Sequence, residues 1–344
     1  MPLIHTLRRA GMEVVLAGSG DSLQLLRQTF PELPGHELPA YAVRYARGRA
    51  QVTAVVGQLP RLAGVIREEH ARVAALVKQE RIDIIISDNR YGVWVSGVPS
   101  VFIGHQLAPV LPGMYRPLRG GLIRLHQRML RHFARIWVPD MAGNPLTGIL
   151  TADFPADARL KWTGPMSRFE GESWYADHSA PEILAVISGP EPQRTLLEDK
   201  LLDEAHHTGR DMWIIQGKPG PYQDTLRDGV RMISHLSTSE LGGLMLGAGL
   251  VISRSGYSSL MDYTALGLSR VALIPTPGQP EQEYLGYRLH AQGVAYCVDQ
   301  DAFSLEKAIS ESVFYQGFSP LPVSYDWVRD MQSLVDSARR ASRT

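Results

Sequence analysis

Two stretches of this chain repeat one pattern, in which short, continuously apolar strands alternate with longer helical segments. In the first stretch the strands are EVVLAG (13–18), IDIIISDN (82–89), PSVFIG (99–104) and ARIWVPD (134–140). In the second they are EILAVISG (182–189), MWIIQG (212–217), a shorter one near RMISHL (231–236), AGLVISRSG (248–256), RVALIPTPG (270–278) and GVAYCVD (293–299). Unbroken apolar runs belong to strands buried on both faces, and their alternation with helices builds a doubly wound parallel sheet. The 344 residues suit two such units, since one core rarely serves more than about 250. The stretch 163–182, rich in Gly, Ser, Pro and charge, reads as the linker. The expected division is a first lobe over 1–165, a second over 166–320 and an amphipathic helix within 321–344. Leu3, Ile4 and Leu7 share one face of an opening helix that Gly11 ends. A doubly wound unit normally opens with a strand and a glycine-rich turn, and here the helix that should follow them comes first. A first strand and loop are therefore expected to be missing; the other reading is a lobe that starts with a helix.

Bulk composition excludes several classes. Lys plus Arg and Asp plus Glu both number 35, which removes the basic signature of a nucleic-acid binder. The single cysteine, Cys297, permits no internal disulfide and points to a reducing compartment. It lies in an apolar run, so it reads as a buried strand thiol. No run approaches the roughly 18 apolar residues of a membrane span, and the first residues have too short an apolar core for a signal peptide. The expected location is the cytoplasm. Neither an Asp-x-Asp pair nor a His/Cys cluster with ligand spacing is present, so no metal and no cofactor are expected.

In open α/β sheets ligands bind beyond the carboxyl ends of the strands, and two facing lobes would form a cleft there. After the strand ending at Ile252 come Ser253, Arg254, Ser255 and Gly256, with a helix expected from about Ser258. Small residues at a helix start expose backbone N–H groups that suit a phosphate; Ser258 as an ordinary N-cap is the competing reading. Asp262, one turn on, could reach ribose hydroxyls. After Ile274 a Pro/Gly loop leads to Glu281, Gln282 and Glu283. Amides and carboxylates there suit sugar hydroxyls, or simply an acidic helix start. Gly189 after its strand, with Arg194 in the next helix, is a weaker motif that a plain turn and a surface arginine would equally explain.

In this order, the Ser-Arg-Ser-Gly turn, the helix with Asp262, the Ala-Leu-Gly at 265–267, the strand ending in Pro275 and the segment 281–284 resemble the MurG-like branch of GT-B glycosyltransferases. That branch includes the enzyme adding N-acetylglucosamine to the lipid-linked muramyl-pentapeptide carrier. The resemblance covers most of 160–300 and only general topology before it. It implies two Rossmann-like lobes and a UDP-sugar co-substrate. It places Asp262 on the ribose, Ser255 and Gly256 on the diphosphate, and Gln282 with Glu283 on the sugar. Arg168 and Arg194 would lie near the nucleotide, with backbone groups near Ser237 and Thr238 against the base. Three departures stand out: the usual glycine-rich turn is Ser-Gly-Pro-Glu-Pro at 188–192, the second Gln of a pair is Glu283, and an expected Asn is Gly286. A donor other than UDP-N-acetylglucosamine is thus open.

In the first lobe Asp88, Asn89 and Arg90 follow one strand, and His105 with Gln106 follow the next. These are the expected acceptor-side residues. Asp88 or His105 could serve as general base, His105 alternatively as a structural histidine. The implied reaction is a single displacement with inversion, in which amides and arginines stabilise the departing UDP. From Asn89 to Pro139 there is no acid, and seven arginines occur: Arg90, Arg116, Arg119, Arg124, Arg128, Arg131 and Arg135. The last four are expected on one helix face, with Leu122, Leu125, Met129 and Phe133 on the other. Such a helix suits an anionic membrane surface, or packs normally with its arginines in water. Two other functions fit the same lobes: a non-hydrolysing UDP-sugar epimerase, and a nucleotide-sugar-binding protein without catalysis.

Overall fold

The computed structural model describes residues 1–41, 51–111, 113–143, 145–170, 173–189, 191–218, 220–321 and 325–341. The chain divides into two compact units, one of 1–166 with 322–344, the other of 167–321.

In the first unit α1 (Pro2–Arg9) leads to β1 (Leu16–Gly18), α2 (Gly20–Thr29), β2 (Gly35–Glu37) and the long α3 (Gln51–Glu80). Then come β3 (Ile85–Asp88), β4 (Ser100–Ile103), α4 (Arg119–Leu130), β5 (Arg135–Val138), α5 (Ile149–Ala152) and β6 (Leu160–Trp162). Strands β3 to β6 form one parallel sheet in sequence order, and β1 with β2 forms a separate parallel pair. As the continuous apolar pattern requires, β4 is buried along its whole length. β6 is short, partly exposed and not apolar throughout, which is why no strand is expected there from the sequence.

The second unit holds β7 (Ile183–Val186), α6 (Gln193–Thr208), β8 (Met212–Ile215), β9 (Asp224–Arg227), β10 (Val230–Ile233), α7 (Thr238–Gly247), β11 (Leu250–Ser253), α8 (Tyr257–Leu266), β12 (Val271–Leu273), α9 (Pro280–Ala291), β13 (Tyr296–Cys297) and α10 (Leu305–Glu311). Its sheet has the order β13-β12-β11-β7-β8-β10-β9. All neighbours are parallel except β9, which turns back on β10 through Asp228 and Gly229, both at positive φ. A two-residue turn of that kind joins antiparallel strands. The chain reverses beside β7, with β11 on one side and β8 on the other, which is the switch point where such sheets bind ligands. Ile183, Ala185, Ile214, Ile252 and Ala272 centre the core beneath it.

The last helix, α11 (Trp327–Ala341), belongs to the first unit. Trp327, Met331 and Leu334 pack with Leu3, Leu7, Val101 and Trp137. Asp330 accepts from Trp137 Nε1 at 2.9 Å and from the Tyr325 hydroxyl at 2.7 Å. Both chain ends thus cover one side of the β3–β6 sheet.

One expectation needs correction. Arg135 does not share the helix face of Arg124, Arg128 and Arg131, because α4 ends at Leu130 and Arg135 lies in β5, paired with Asp330 at 3.3 Å. The inward face of α4 carries His126 and Leu130, while Leu125 points out. His126 earns that position by finding polar partners, described below, which a periodicity of apolar residues cannot foresee.

Candidate functional site

At the carboxyl edge of the second unit's sheet, Gly256 is the N-cap of α8, with an extended φ/ψ of −70° and 141° and no side-chain cap. The helix dipole is therefore presented without a built-in counterpart. Ser258, exposed, sits inside the first turn and is not the N-cap.

The three residues before Gly256 play a different part from the expected one. Arg254 is only 1% exposed. Its guanidinium donates to Gln193 O at 2.8 Å and to Ile274 O and Pro275 O at 3.2 Å. Burial lowers its pKa to about 10, so it stays charged at neutral pH. Buried carbonyls need donors, and Arg254 supplies them to three carbonyls in two segments, the end of β12 and the start of α6, which removes it from the list of phosphate ligands. Ser253 and Ser255 are likewise buried and donate inward, Ser253 Oγ to Arg254 O at 3.1 Å and Ser255 Oγ to Gln282 O at 2.8 Å. What remains for an anion here is backbone, not these side chains.

Asp262 meets Arg168 and Ser167. Ser167 Oγ donates to Oδ1 at 2.7 Å, and Arg168 Nε to Oδ2 at 3.1 Å. Desolvation raises the Asp262 pKa, opposed by the Arg168 charge and by hydrogen bonds from the Ser167 side chain and the Arg168 side chain and backbone. Arg168 is about a third exposed and leans on Phe169. Two of the expected nucleotide residues, 94 positions apart, are thus brought together.

Gln282 and Glu283, expected on the sugar, hold the Pro/Gly loop in place. Gln282 Oε1 accepts from Thr276 N and Glu283 Oε1 from Gly278 N, both at 2.9 Å, while Gln282 Nε2 donates to Gln279 Oε1 at 2.6 Å. Both side chains stay partly exposed. Gly286 has a packing reason: a Cβ there would lie 2.7 Å from Cys297 Sγ and 3.2 Å from Ser255 Oγ. An Asn cannot fit at that position.

On the neighbouring strands, Gly189 has φ +107°, and Arg194 pairs with Glu191 at 2.6 Å and donates to Gly217 O at 3.3 Å. Lys218, which the sequence pattern did not single out, follows Gly217 and pairs with the buried Glu198 at 3.2 Å. Gly217 must be Gly, because a Cβ would meet Ile187 O at 2.7 Å; that close approach sets Lys218 beside Arg194. Thr238 opens α7, but its N-cap Ser237 is locked in a capping box with Glu240, so the Ser237 N–H is already used. Glu170, also not foreseen, lies two residues past Arg168 with Oε2 buried and without a hydrogen-bond partner among the described residues. Burial pushes its carboxyl up to about 7.

In the first unit Asp88 ends β3 and His105 follows β4 by two residues, and the strands are paired there, Asp88 opposite Ile103. Solvent reaches Asp88, yet the surrounding protein desolvates it enough to raise its pKa, opposed by the charges of His105 and the Met1 amino group. Asn89 adopts positive φ, and its N–H donates to Ile103 O at 2.9 Å. Gln106 is partly exposed beside His105. Arg90 turns inward, against expectation, and donates to Glu69, Ser19 Oγ and Pro39 O. Glu69 is fully buried and also accepts from Tyr41 at 2.6 Å and Gly92 N at 2.9 Å. A buried carboxylate requires such a cation, so Arg90 is structural. Beneath these loops His126 bridges them, Nδ1 to Leu107 O at 2.9 Å and Nε2 to the Tyr91 hydroxyl at 3.1 Å.

Among the described residues no group of three or more His, Cys, Asp or Glu is placed to hold a metal ion. No helix among them is long and apolar enough to cross a membrane.

Residues 206–316 match the glycosyltransferase family 28 C-terminal domain. Over 338 residues, 91% of each chain, the protein is 24% identical to an uncharacterized glycosyltransferase of Methanopyrus kandleri. Its fold is similar to that of MurG from Acinetobacter baumannii, with TM-score 0.53, 11% identity and coverage of 98% of this chain and 89% of that one. It is similar as well to the glycosyltransferase VinC in complex with dTDP, with TM-score 0.55, 16% identity and coverage of 98% and 95%. With residues 206–316 matching the family 28 C-terminal domain and a parallel, Rossmann-like sheet in each unit, the chain is a glycosyltransferase of GT-B fold.

Proposed function

We propose that the protein moves a sugar from a nucleoside-diphosphate sugar, UDP-N-acetylglucosamine or a related UDP-hexose, to an acceptor hydroxyl with inversion. The observation that carries this is the uncapped start of α8 beside the Arg168–Asp262 pair, at the switch point of a parallel sheet. A diphosphate is satisfied by the amides around Gly256 and Ser258, and a ribose diol by Asp262, with Arg168 shared between carboxylate and ligand. Gly189, Arg194 and Lys218 stabilise charge on the departing nucleotide. Glu283 Oε2, its other oxygen bound to the loop, and the second Nε2 proton of Gln282 are what these two residues offer to the sugar. Asp88 takes the acceptor proton, and His105, Asn89 and Gln106 orient the acceptor. The VinC complex favours a pyrimidine nucleoside diphosphate as the common part of the ligand.

The acceptor side has a second feature. Leu118 and Leu125 are 55% and 44% exposed, and Ile149 is exposed near them, with Arg124, Arg128 and Arg131 at the same surface. Such a patch suits anionic lipid, and the protein then works at the cytoplasmic face of a membrane.

Thermal shift against UDP, GDP and dTDP and their sugars tests the donor, since a ligand of the native state raises Tm. A rise with UDP-sugars is expected; none with any nucleotide rejects the reading. Incubation with UDP-sugar alone separates the epimerase alternative: an epimerised sugar without acceptor favours it, and unchanged donor favours transfer. Binding without either reaction across acceptor classes favours the non-catalytic alternative.

A further inference from the structure

The sheet of the second unit ends differently on its two sides. On one side β13 is buried, and its outward Cys297 N–H donates to His290 Nδ1 at 3.2 Å. On the other side β9 has no such cover, and every residue from 221 to 229 is exposed. The hairpin fixes which backbone groups of β9 lie outside. Ser234 N–H donates to Gln223 O at 2.9 Å, and the same register sets Thr225 opposite Met232 and Arg227 opposite Val230. Hydrogen-bonded pairs alternate along an antiparallel ladder. Gln223, Thr225 and Arg227 therefore turn to β10, and the N–H and C=O groups of Asp224 and Leu226 turn outward. Among the described residues nothing bonds those four groups.

Bare edges are usually blunted by lysine, proline or a bulge. β9 has neither residue, and its register against β10 runs without a bulge. Its acid, Asp224, is already neutralised within the hairpin, by Arg231 at 2.6 Å and the Tyr222 hydroxyl at 3.3 Å. Side chains alternate along a strand, so Tyr222, Asp224 and Leu226 share one face. Tyr222 is 58% and Leu226 74% exposed there. The edge thus combines free backbone groups, a compensated charge and two uncovered apolar side chains.

We propose that β9 pairs antiparallel with β9 of a second copy of this chain, across a two-fold axis at Thr225. A closed dimer brings one patch against itself, and outward residues must face outward residues. Asp224 then faces Asp224, Asp228 or Leu226 of the second copy. The first two put like charges directly opposite, which destabilises a strand pair. The third places Thr225 opposite itself and Gln223 opposite Arg227, and it gives every outward group of Asp224 and Leu226 a partner. In that register Leu226 lies diagonal to both Leu226 and Tyr222 of the second copy, within reach of long and aromatic side chains. The exposed apolar groups of both chains are then covered together, and the two sheets run on as one. So short an edge makes a contact at the small end of specific interfaces, so the dimer forms and dissociates with concentration.

Cross-linking through introduced cysteines tests the register, because Cys297, the native cysteine, is buried. Residues opposite each other in a non-hydrogen-bonded pair have Cα atoms about 4.5 Å apart, within disulfide range. Thr225→Cys is therefore expected to give a disulfide-linked dimer under mild oxidation. Leu226→Cys, facing Asp224 and diagonal to its own copy at about 7–8 Å, reports random collision and is expected to link at least about 10-fold more slowly. Sedimentation of the full chain tests the dimer itself, with the weight-average mass rising toward twice that of the chain by about 100 µM. Leu226→Pro removes an outward N–H that the hairpin does not use, so it is expected to weaken association at least about 10-fold with the Tm of dilute protein nearly unchanged. A wild-type chain that stays monomeric at that concentration overturns the proposal, as does a dimer undiminished by Leu226→Pro. Thr225→Cys linking no faster than Leu226→Cys overturns it too, whether or not the proline variant folds.

Discussion

Arg254 and Arg168 are both arginines at the carboxyl edge of one sheet, and their surroundings give them opposite duties. Arg254 spends its donors on three carbonyls. Replacing it by Met strands those acceptors, each at about 1–3 kcal/mol, so urea unfolding of Arg254→Met should show a loss of at least about 2 kcal/mol. Arg168 is about a third exposed, but its partner Asp262 is desolvated, so losing the cation costs more than the about 0–1 kcal/mol of a surface pair. Arg168→Ala is expected to lower Tm, though by less than Arg254→Met, and to weaken nucleotide binding by about 10-fold or more, the value of a charge-assisted hydrogen bond; calorimetric titration with UDP reads it. Gly286→Ala forces a methyl against Cys297 Sγ and should cost about 1–3 kcal/mol as overpacking, with a matching fall in Tm. Asp88 carries the pH prediction. A general base works deprotonated, and desolvation raises its pKa, so kcat/KM is expected to fall on acidification at a pH above the ordinary carboxylate range. Asp88→Asn should abolish that limb together with most of the turnover; an unchanged acid limb in the variant assigns the base elsewhere.

At the scale of elements, the loops after β3 and β4 are held as one body by His126, which bonds Leu107 O and the Tyr91 hydroxyl. Tyr91→Phe cuts one of those links without emptying the core. The expected result is a lower kcat/KM for acceptor with donor affinity intact, read by steady-state kinetics alongside UDP titration. The elements themselves were largely legible in advance. Continuous apolar runs such as 183–186, 212–215 and 250–253 became parallel strands because such a run can only be buried on both faces. The positions of Asp262 and Ser255 at the sheet edge followed from the same logic, whereas Arg168 was placed near the nucleotide by the family resemblance. Where their side chains point did not, since it depends on which carbonyls and amides elsewhere lack partners. The donors of Arg254 go to Gln193, Ile274 and Pro275, up to 61 residues away, and no local pattern encodes that debt. Arg135 was misread for a related reason: the arginine periodicity runs past Leu130, but the helix does not. Glu170 and Lys218 carried no signal at all, being single residues in turns.

On the scale of the whole molecule, two units of like topology divide the labour. The second has a seven-stranded sheet with its switch point open beside a helix start; the first carries the acid, the imidazole and the arginine-flanked apolar surface. The proposed transfer needs a nucleoside diphosphate on the start of α8. A crystal structure with UDP-sugar bound tests it directly. Diphosphate oxygens are expected on the backbone amides near Gly256 and Ser258, with the ribose on Asp262 and Arg168 turned to the ligand. Ligand density elsewhere, with the Ser167–Asp262–Arg168 contacts and the α8 start untouched, would contradict it.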